Sequence, residues 1–96
     1  EIFSSSELDQ KARRLSVVQP RLTSALLRQA PATVVVIFIV DENGRVQDPK
    51  VQRTTNPSFD RSALSAIKQW KFEPAKVQGR SVSSRLRQSF SFENST

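Results

Sequence analysis

The side chains of this 96-residue chain that can serve as general acids or bases are nine carboxylates and five lysines; histidine, cysteine and tyrosine are absent. Without imidazole or thiolate, the usual zinc sites, Ser-His triads, Cys-His dyads and disulfides are excluded within the chain. The carboxylates form no paired constellation of the kind acid–base catalysis needs. Asp41 and Glu42 belong to a turn signal, and Asp60 to a helix start. The residues therefore predict no enzyme, no cofactor and no metal. They leave the redox compartment open, since a cysteine-free domain tolerates either state.

What the chain does offer is charge. The net +6 is unevenly spread: residues 61–96 carry seven basic side chains against Glu73 and Glu93, a net of +5, and residues 1–60 carry +1. A basic half can face nucleic acid, an anionic membrane surface, an acidic polymer or an acidic protein. It can equally be a solvated face that keeps the domain soluble.

The segment that must position these charges is Thr33–Val40, which holds seven consecutive apolar residues, all β-branched or aromatic. An unbroken run of this kind predicts a central strand buried on both faces, so that Val34–Val40 would be scaffold and touch no partner. Asp41-Glu42-Asn43-Gly44 follows as a hairpin turn, with Gly44 supplying a positive φ. The returning strand, Arg45 to about Thr55, is expected to be irregular around Pro49. Val46 and Val51 are five apart and would face opposite sides of a regular strand, and Pro49 cannot donate to a ladder.

Two helices are predicted. Arg21–Ala30 places Leu22, Ala25, Leu26 and Ala30 at helical spacing, with Pro20 at the first position and Pro31 as the stop. The second is capped by Asn56, starts at Pro57, and carries Phe59, Ala63, Ala66, Ile67 and Trp70 on one stripe. Asp60 near its start and Lys68 and Lys71 at its end suit the macrodipole. Trp70, Phe90 and Phe92 read as core aromatics. Glu73-Pro74 ends this helix and Gly79 marks a turn. Ser81–Phe92 then alternates as a half-buried antiparallel strand, with Val82, Leu86, Phe90 and Phe92 on one face and serines and arginines on the other. That polar face argues against nucleic acid, because RNA-binding sheets display aromatics there.

Residues 1–19 are weakly patterned and read as an arm or linker, with helical turns around 7–15 and a short extended piece at Val17-Val18. Residues 20–93 form the single domain that this length permits, and 94–96 a tail. No window approaches a membrane span, and no signal-peptide pattern opens the chain. Starting at Glu1 without Met, the sequence is expected to be a piece of a longer protein whose anchor or targeting segment lies elsewhere. The architecture predicted is α+β, in the order α-β-β-α-β. It has a three-stranded antiparallel sheet of order 2-1-3, two helices and two exposed edges.

The stretch V-V-V-I-F-I-V-D-E-N-G-R-V, the block A-L-S-A-I-K-Q-W-K-F-E-P from Ala63 to Pro74, and G-R-S-V from Gly79 resemble the C-terminal domain of TonB-family energy transducers. The resemblance covers about sixty of the 96 residues. It departs where Gln19-Pro20 replaces the family's Tyr-Pro pair, a region that contacts the receptor. The resemblance implies a non-catalytic periplasmic module of a protein anchored in a Gram-negative inner membrane. Such a module engages the TonB box of outer-membrane transporters, and it works with inner-membrane proton-channel subunits through segments outside this piece.

Adding an extended peptide to a sheet edge uses main-chain hydrogen bonds for affinity. The docking edge is accordingly expected at Val82, Ser83, Ser84, Arg85, Leu86, Arg87, Gln88, Ser89 and Phe90, with Val18, Gln19 and Pro20 as a further contact. Arg85 and Arg87 would attract an acidic partner, or simply keep the edge soluble. The same edge could pair two copies into a homodimer. The alternative reading keeps the fold and makes it a periplasmic adaptor or cell-wall-binding module.

Overall fold

The computed structural model describes residues 2–3 and 5–93, so the expected tail at 94–96 lies outside the described residues. Its elements are β1 (Ile2–Phe3), β2 (Arg13–Ser16), α1 (Ser24–Leu27), β3 (Ala32–Val40), β4 (Val46–Thr54), α2 (Asp60–Lys68), β5 (Lys71–Glu73), β6 (Ala75–Val77) and β7 (Arg80–Phe92). Short 3-10 turns occupy Ser5–Glu7 and Pro57–Phe59. The principal sheet runs β1-β7-β3-β4, with β6 also paired to β7, and β2 pairs separately with β5. At its centre the expected α+β architecture and the 2-1-3 order are observed as β4-β3-β7, but the expected three strands are five, because β1 and β6 also pair with the long β7.

β3 is central because both of its edges are paired antiparallel, with β4 on one side and β7 on the other. Its residues alternate strictly between buried and half-buried. Val34, Val36, Phe38 and Val40 form the core floor, which α2 covers with Ala63, Ala66 and Ile67. Phe59 packs against Phe92 with the rings tilted and their centroids 4.8 Å apart, and Trp70 meets Phe90 edge-on at 5.6 Å. Burial on both faces, predicted from the unbroken apolar run, is corrected. Val35, Ile37 and Ile39 are only half-buried, and their neighbours in register are Arg53, Lys50 and Gln47 on β4 and Ser89, Arg87 and Arg85 on β7. A central strand is shielded by cross-strand side chains even where no second layer exists.

The irregularity expected in β4 is present and has a clear cause. Val40 pairs with Val46 and Val36 with Val51, so four steps along β3 match five along β4. The extra residue is absorbed where the register shifts between Ile37 and Ile39, and Asp48 takes φ 51° there. This bulge restores parity, so both valines pack against the core.

The helices differ in extent from the periodicity. α1 is one turn, capped by Thr23, whose Oγ1 accepts the Leu26 N–H at 3.2 Å. Pro20 therefore lies before the helix and not at its first position. Gln29 N–H donates to the Leu26 carbonyl and Ala30 N–H to Leu27, tightening the end before Pro31. Around α2, Asn56 Oδ1 accepts the Ser58 N–H at 3.0 Å as predicted, and the first turn is 3-10. The helix ends at Lys68, with Trp70 folded under it. β5 and β6 follow, and Gln78-Gly79, both at positive φ, turn β6 into β7.

The turn after β3 is over-determined. Gly44 N–H donates to the Asp41 carbonyl, and Asp41 Oδ1 accepts both the Asn43 and Arg45 N–H groups at 2.9 Å. Burial alone would raise the Asp41 carboxyl. The Arg45 N–H, the Gln47 amide, the Asn43 N–H and the Arg45 charge outweigh it and hold the group below its ordinary value. Gly44, at φ 81°, also accepts the Phe72 N–H on its carbonyl at 3.0 Å, and a Cβ built on it would sit 2.0 Å from the Phe72 oxygen. Gly44→Ala is expected to cost about 2 to 4 kcal/mol in urea unfolding, through combined backbone strain and the forced separation of β5 from the turn.

Candidate functional site: the open edge of β7

β7 alternates because its odd residues meet solvent and its even residues meet the core. Arg85, Arg87, Ser89 and Ser91 are exposed, whereas Ser84, Phe90 and Phe92 are buried and Leu86 and Gln88 half-buried. From Ser84 to Phe92 it pairs with β3 on one side. The expected docking edge, Val82–Phe90, is already occupied over its first part. Val82 pairs with Ala75 of β6, while Ser83 and Ser84 pair parallel with Ile2 and Phe3 of β1. From Arg85 onward, the side of β7 away from β3 has no strand neighbour among the described residues. There the Gln88 carboxamide donates to the Ser89 carbonyl at 2.8 Å, a side chain satisfying main chain where no partner strand runs.

Facing this bare edge is the N-terminal arm, which is neither a free linker nor helical around 7–15. Gln10 bridges Lys76, and Arg13–Ser16 pairs with Lys71–Glu73. The arm is held by contacts from distant residues. Lys76 N–H donates to the Gln10 carbonyl at 2.8 Å, and the Trp70 indole N–H to the Val18 carbonyl at 2.9 Å. Asp9 accepts from the Gln78 N–H. Glu73 Oε1 accepts from Gln10 and from Arg13, the latter at 3.0 Å. The bond from Arg13, then the bond from Gln10, and the Arg13 charge hold the Glu73 carboxyl below its ordinary value of 4.5.

Between arm and strand lies a trough made of two hollows. One, about 360 Å³, has Gln88–Phe92 on one wall and Arg14, Val17, Gln19, Pro20 and Leu22 on the other, with Trp70 between them. The second, about 370 Å³, runs between Leu86, Arg87 and Gln88 and the arm at Ala12, Arg13 and Arg14. Gln19 and Pro20, singled out from the sequence, thus lie opposite the strand residues singled out with them, and Val18 is tied to Trp70. The trough also contains residues that the sequence reading missed. Arg14 sits 5.6 Å over the Trp70 ring, and Val17 is an exposed apolar residue beside it. Only the exposed aliphatics Leu15 and Val17 in a polar arm hinted that this segment has a surface to line. Trp70, 7% exposed, is core as predicted and also the groove's inner end. The arrangement can receive an extended peptide; no group of three or more acidic residues able to hold a metal exists among the described residues.

The family described as Gram-negative bacterial TonB protein C-terminal matches residues 23–93. Protein TonB from two strains of Xanthomonas campestris pv. campestris is 36% identical over 55 residues, covering 56% of this chain and 25% of each relative. The chain thus spans about a quarter of the length of these curated relatives. The solution NMR structure of Pseudomonas aeruginosa TonB CTD superposes with a TM-score of 0.73 at 24% identity, covering 97% of this chain and 94% of that one, a likeness of fold.

Because the Glu73 carboxyl is held below 4.5, its contribution to arm docking is present above that pH and fades as pH falls through the lowered value. Amide exchange of Arg13–Ser16 should accelerate on acidification below about pH 4.5, relative to the β3 amides, and Glu73→Gln should remove that pH dependence.

Proposed function

Because the chain belongs to the family of Gram-negative bacterial TonB C-terminal domains, we propose that it is the periplasmic protein-binding module of a TonB-like energy transducer, capturing the TonB box of outer-membrane transporters as a strand added beside β7. The observation that carries this reading is the bare edge from Arg85 to Phe90, walled by an arm that leaves a trough along it. A peptide laid there gains main-chain hydrogen bonds from β7, which are indifferent to most side chains, so that one module serves several transporters. Arg14 and Arg87 in the trough, with Arg85 beside it, favour a peptide carrying carboxylates and speed its arrival. The docking stretch in this proposal is Arg85, Leu86, Arg87, Gln88, Ser89 and Phe90, with Gln19 and Pro20 opposite.

The module itself catalyses nothing; its work is mechanical coupling. In this reading the inner-membrane anchor and the contacts to proton-channel subunits come from segments outside this piece; among the described residues no helix is long and apolar enough to cross a membrane. A second copy's β7 would compete for the same edge, giving a homodimer that peptide dissolves.

A TonB-box peptide titrated into the chain should shift the amides of Arg85–Phe90 together with those of Val18–Gln19. A β7 whose signals stay in place through saturation would overturn the reading. Replacing Arg85 and Arg87 by Ala should lower the association rate about three- to tenfold at low salt and flatten its salt dependence, with little change in dissociation.

A further inference from the structure

β3 has the composition of a strand covered on both faces, yet α2 covers only one. On the other face Val35, Ile37 and Ile39 stand in a row, half-buried by their strand neighbours alone. Cations flank the row on both sides. Val35 pairs with Arg53, Ile37 lies between Lys50 and Arg87, and Ile39 pairs with Arg85. All four cations are exposed, and Arg53, Arg85 and Arg87 have no carboxylate partner among the described residues. Lys50 has only the exposed Asp48, at 3.6 Å. The β4 bulge at Asp48 leaves a hollow of about 160 Å³ floored by Ile37 and Ile39 and rimmed by Asp48, Lys50 and Arg85.

We infer that this open face is a second docking surface, adjoining the β7 edge and sharing Arg85 and Arg87 with it, and that its occupant is an acidic amphipathic helix of a partner protein. An aliphatic ridge on that helix supplies the missing second layer over the row, and carboxylates on its flanks meet the four cations. The dimensions agree: the row from Val35 to Ile39 spans about 13 Å, and two helical turns span about 11 Å. One ridge side chain fills the hollow beside the bulge.

Charge and shape select against the other occupants. A second copy of this face would set four cations against four cations. A nucleic acid would find no aromatic platform, because Phe38, Trp70, Phe72, Phe90 and Phe92 are all buried. A flat anionic bilayer would reach the cation tips but not the recessed row between them, whereas a helix ridge reaches both.

The test is an NMR titration of the 96-residue chain with a synthetic helical peptide of about 18 residues, leucines at i, i+3, i+4 and i+7 and glutamates on both flanks. A peptide with lysine for each glutamate and vesicles of phosphatidylglycerol are the comparison probes. The expected result is shifts centred on Val35–Ile39 and Lys50–Arg53, with no binding of the lysine peptide. Lys50→Glu combined with Arg53→Glu should weaken the glutamate peptide about tenfold or more, and Ile37→Ser should weaken it without a charge change. If charge reversal unfolds the sheet, Lys50→Ala with Arg53→Ala carries the comparison. Shifts confined to Arg85–Phe92, equal binding of the two peptides, or vesicles bound as tightly as the glutamate peptide would each overturn the inference.

Discussion

The pairing of β3 with β7, unbroken from Ala32↔Phe92 to Val40↔Ser84, is the constraint on which the other packing rests. It brings Val34, Val36, Phe38 and Val40 into one core with Phe90 and Phe92, and α2 packs on that core from above β4 and β3. The register has no tolerance. A slip of one residue would carry Arg85 and Arg87 into the core and turn Phe90 and Phe92 out to water. β7 is also longer than its partner, 13 residues against nine, and the surplus at its start holds β6. From Arg85 onward the side of this strand away from β3 has no strand neighbour among the described residues.

The elements legible in the sequence were those whose periodicity is local. The alternation of β7 and the stripe from Phe59 to Trp70 each place their buried residues correctly, and the odd spacing of Val46 and Val51 announced the β4 bulge. The apolar run in β3 misled in one respect. Composition reports that a strand is central, because both neighbours shield it, but does not report whether a second layer exists. α1 was overestimated because Ala25, counted on its apolar stripe, is exposed, and the chain must turn early to enter β3.

The arm was illegible for a different reason. Its strand at Arg13–Ser16 has no alternation of its own and exists because β5, some sixty residues later, offers main-chain partners and Glu73. Half of the candidate site was therefore visible as a polar edge with core on its reverse, and the other half was not. A groove needs two walls, and the wall at Arg14–Leu22 is set by contacts of large sequence separation. Trp70 shows how a residue correctly read as core can also close the end of such a groove, since its ring is buried while its N–H reaches the arm.

That indole has an optical consequence. Trp70 is the chain's single tryptophan and there is no tyrosine, so essentially all near-ultraviolet emission of the domain comes from one ring. Its N–H is bonded to the Val18 carbonyl, Arg14 lies over its face, and Phe90 touches its edge. Indole emission responds to hydrogen bonding, to nearby charge and to water. The protein thus carries an intrinsic fluorophore at the junction of arm, helix and last strand, and its colour reports whether that junction is closed.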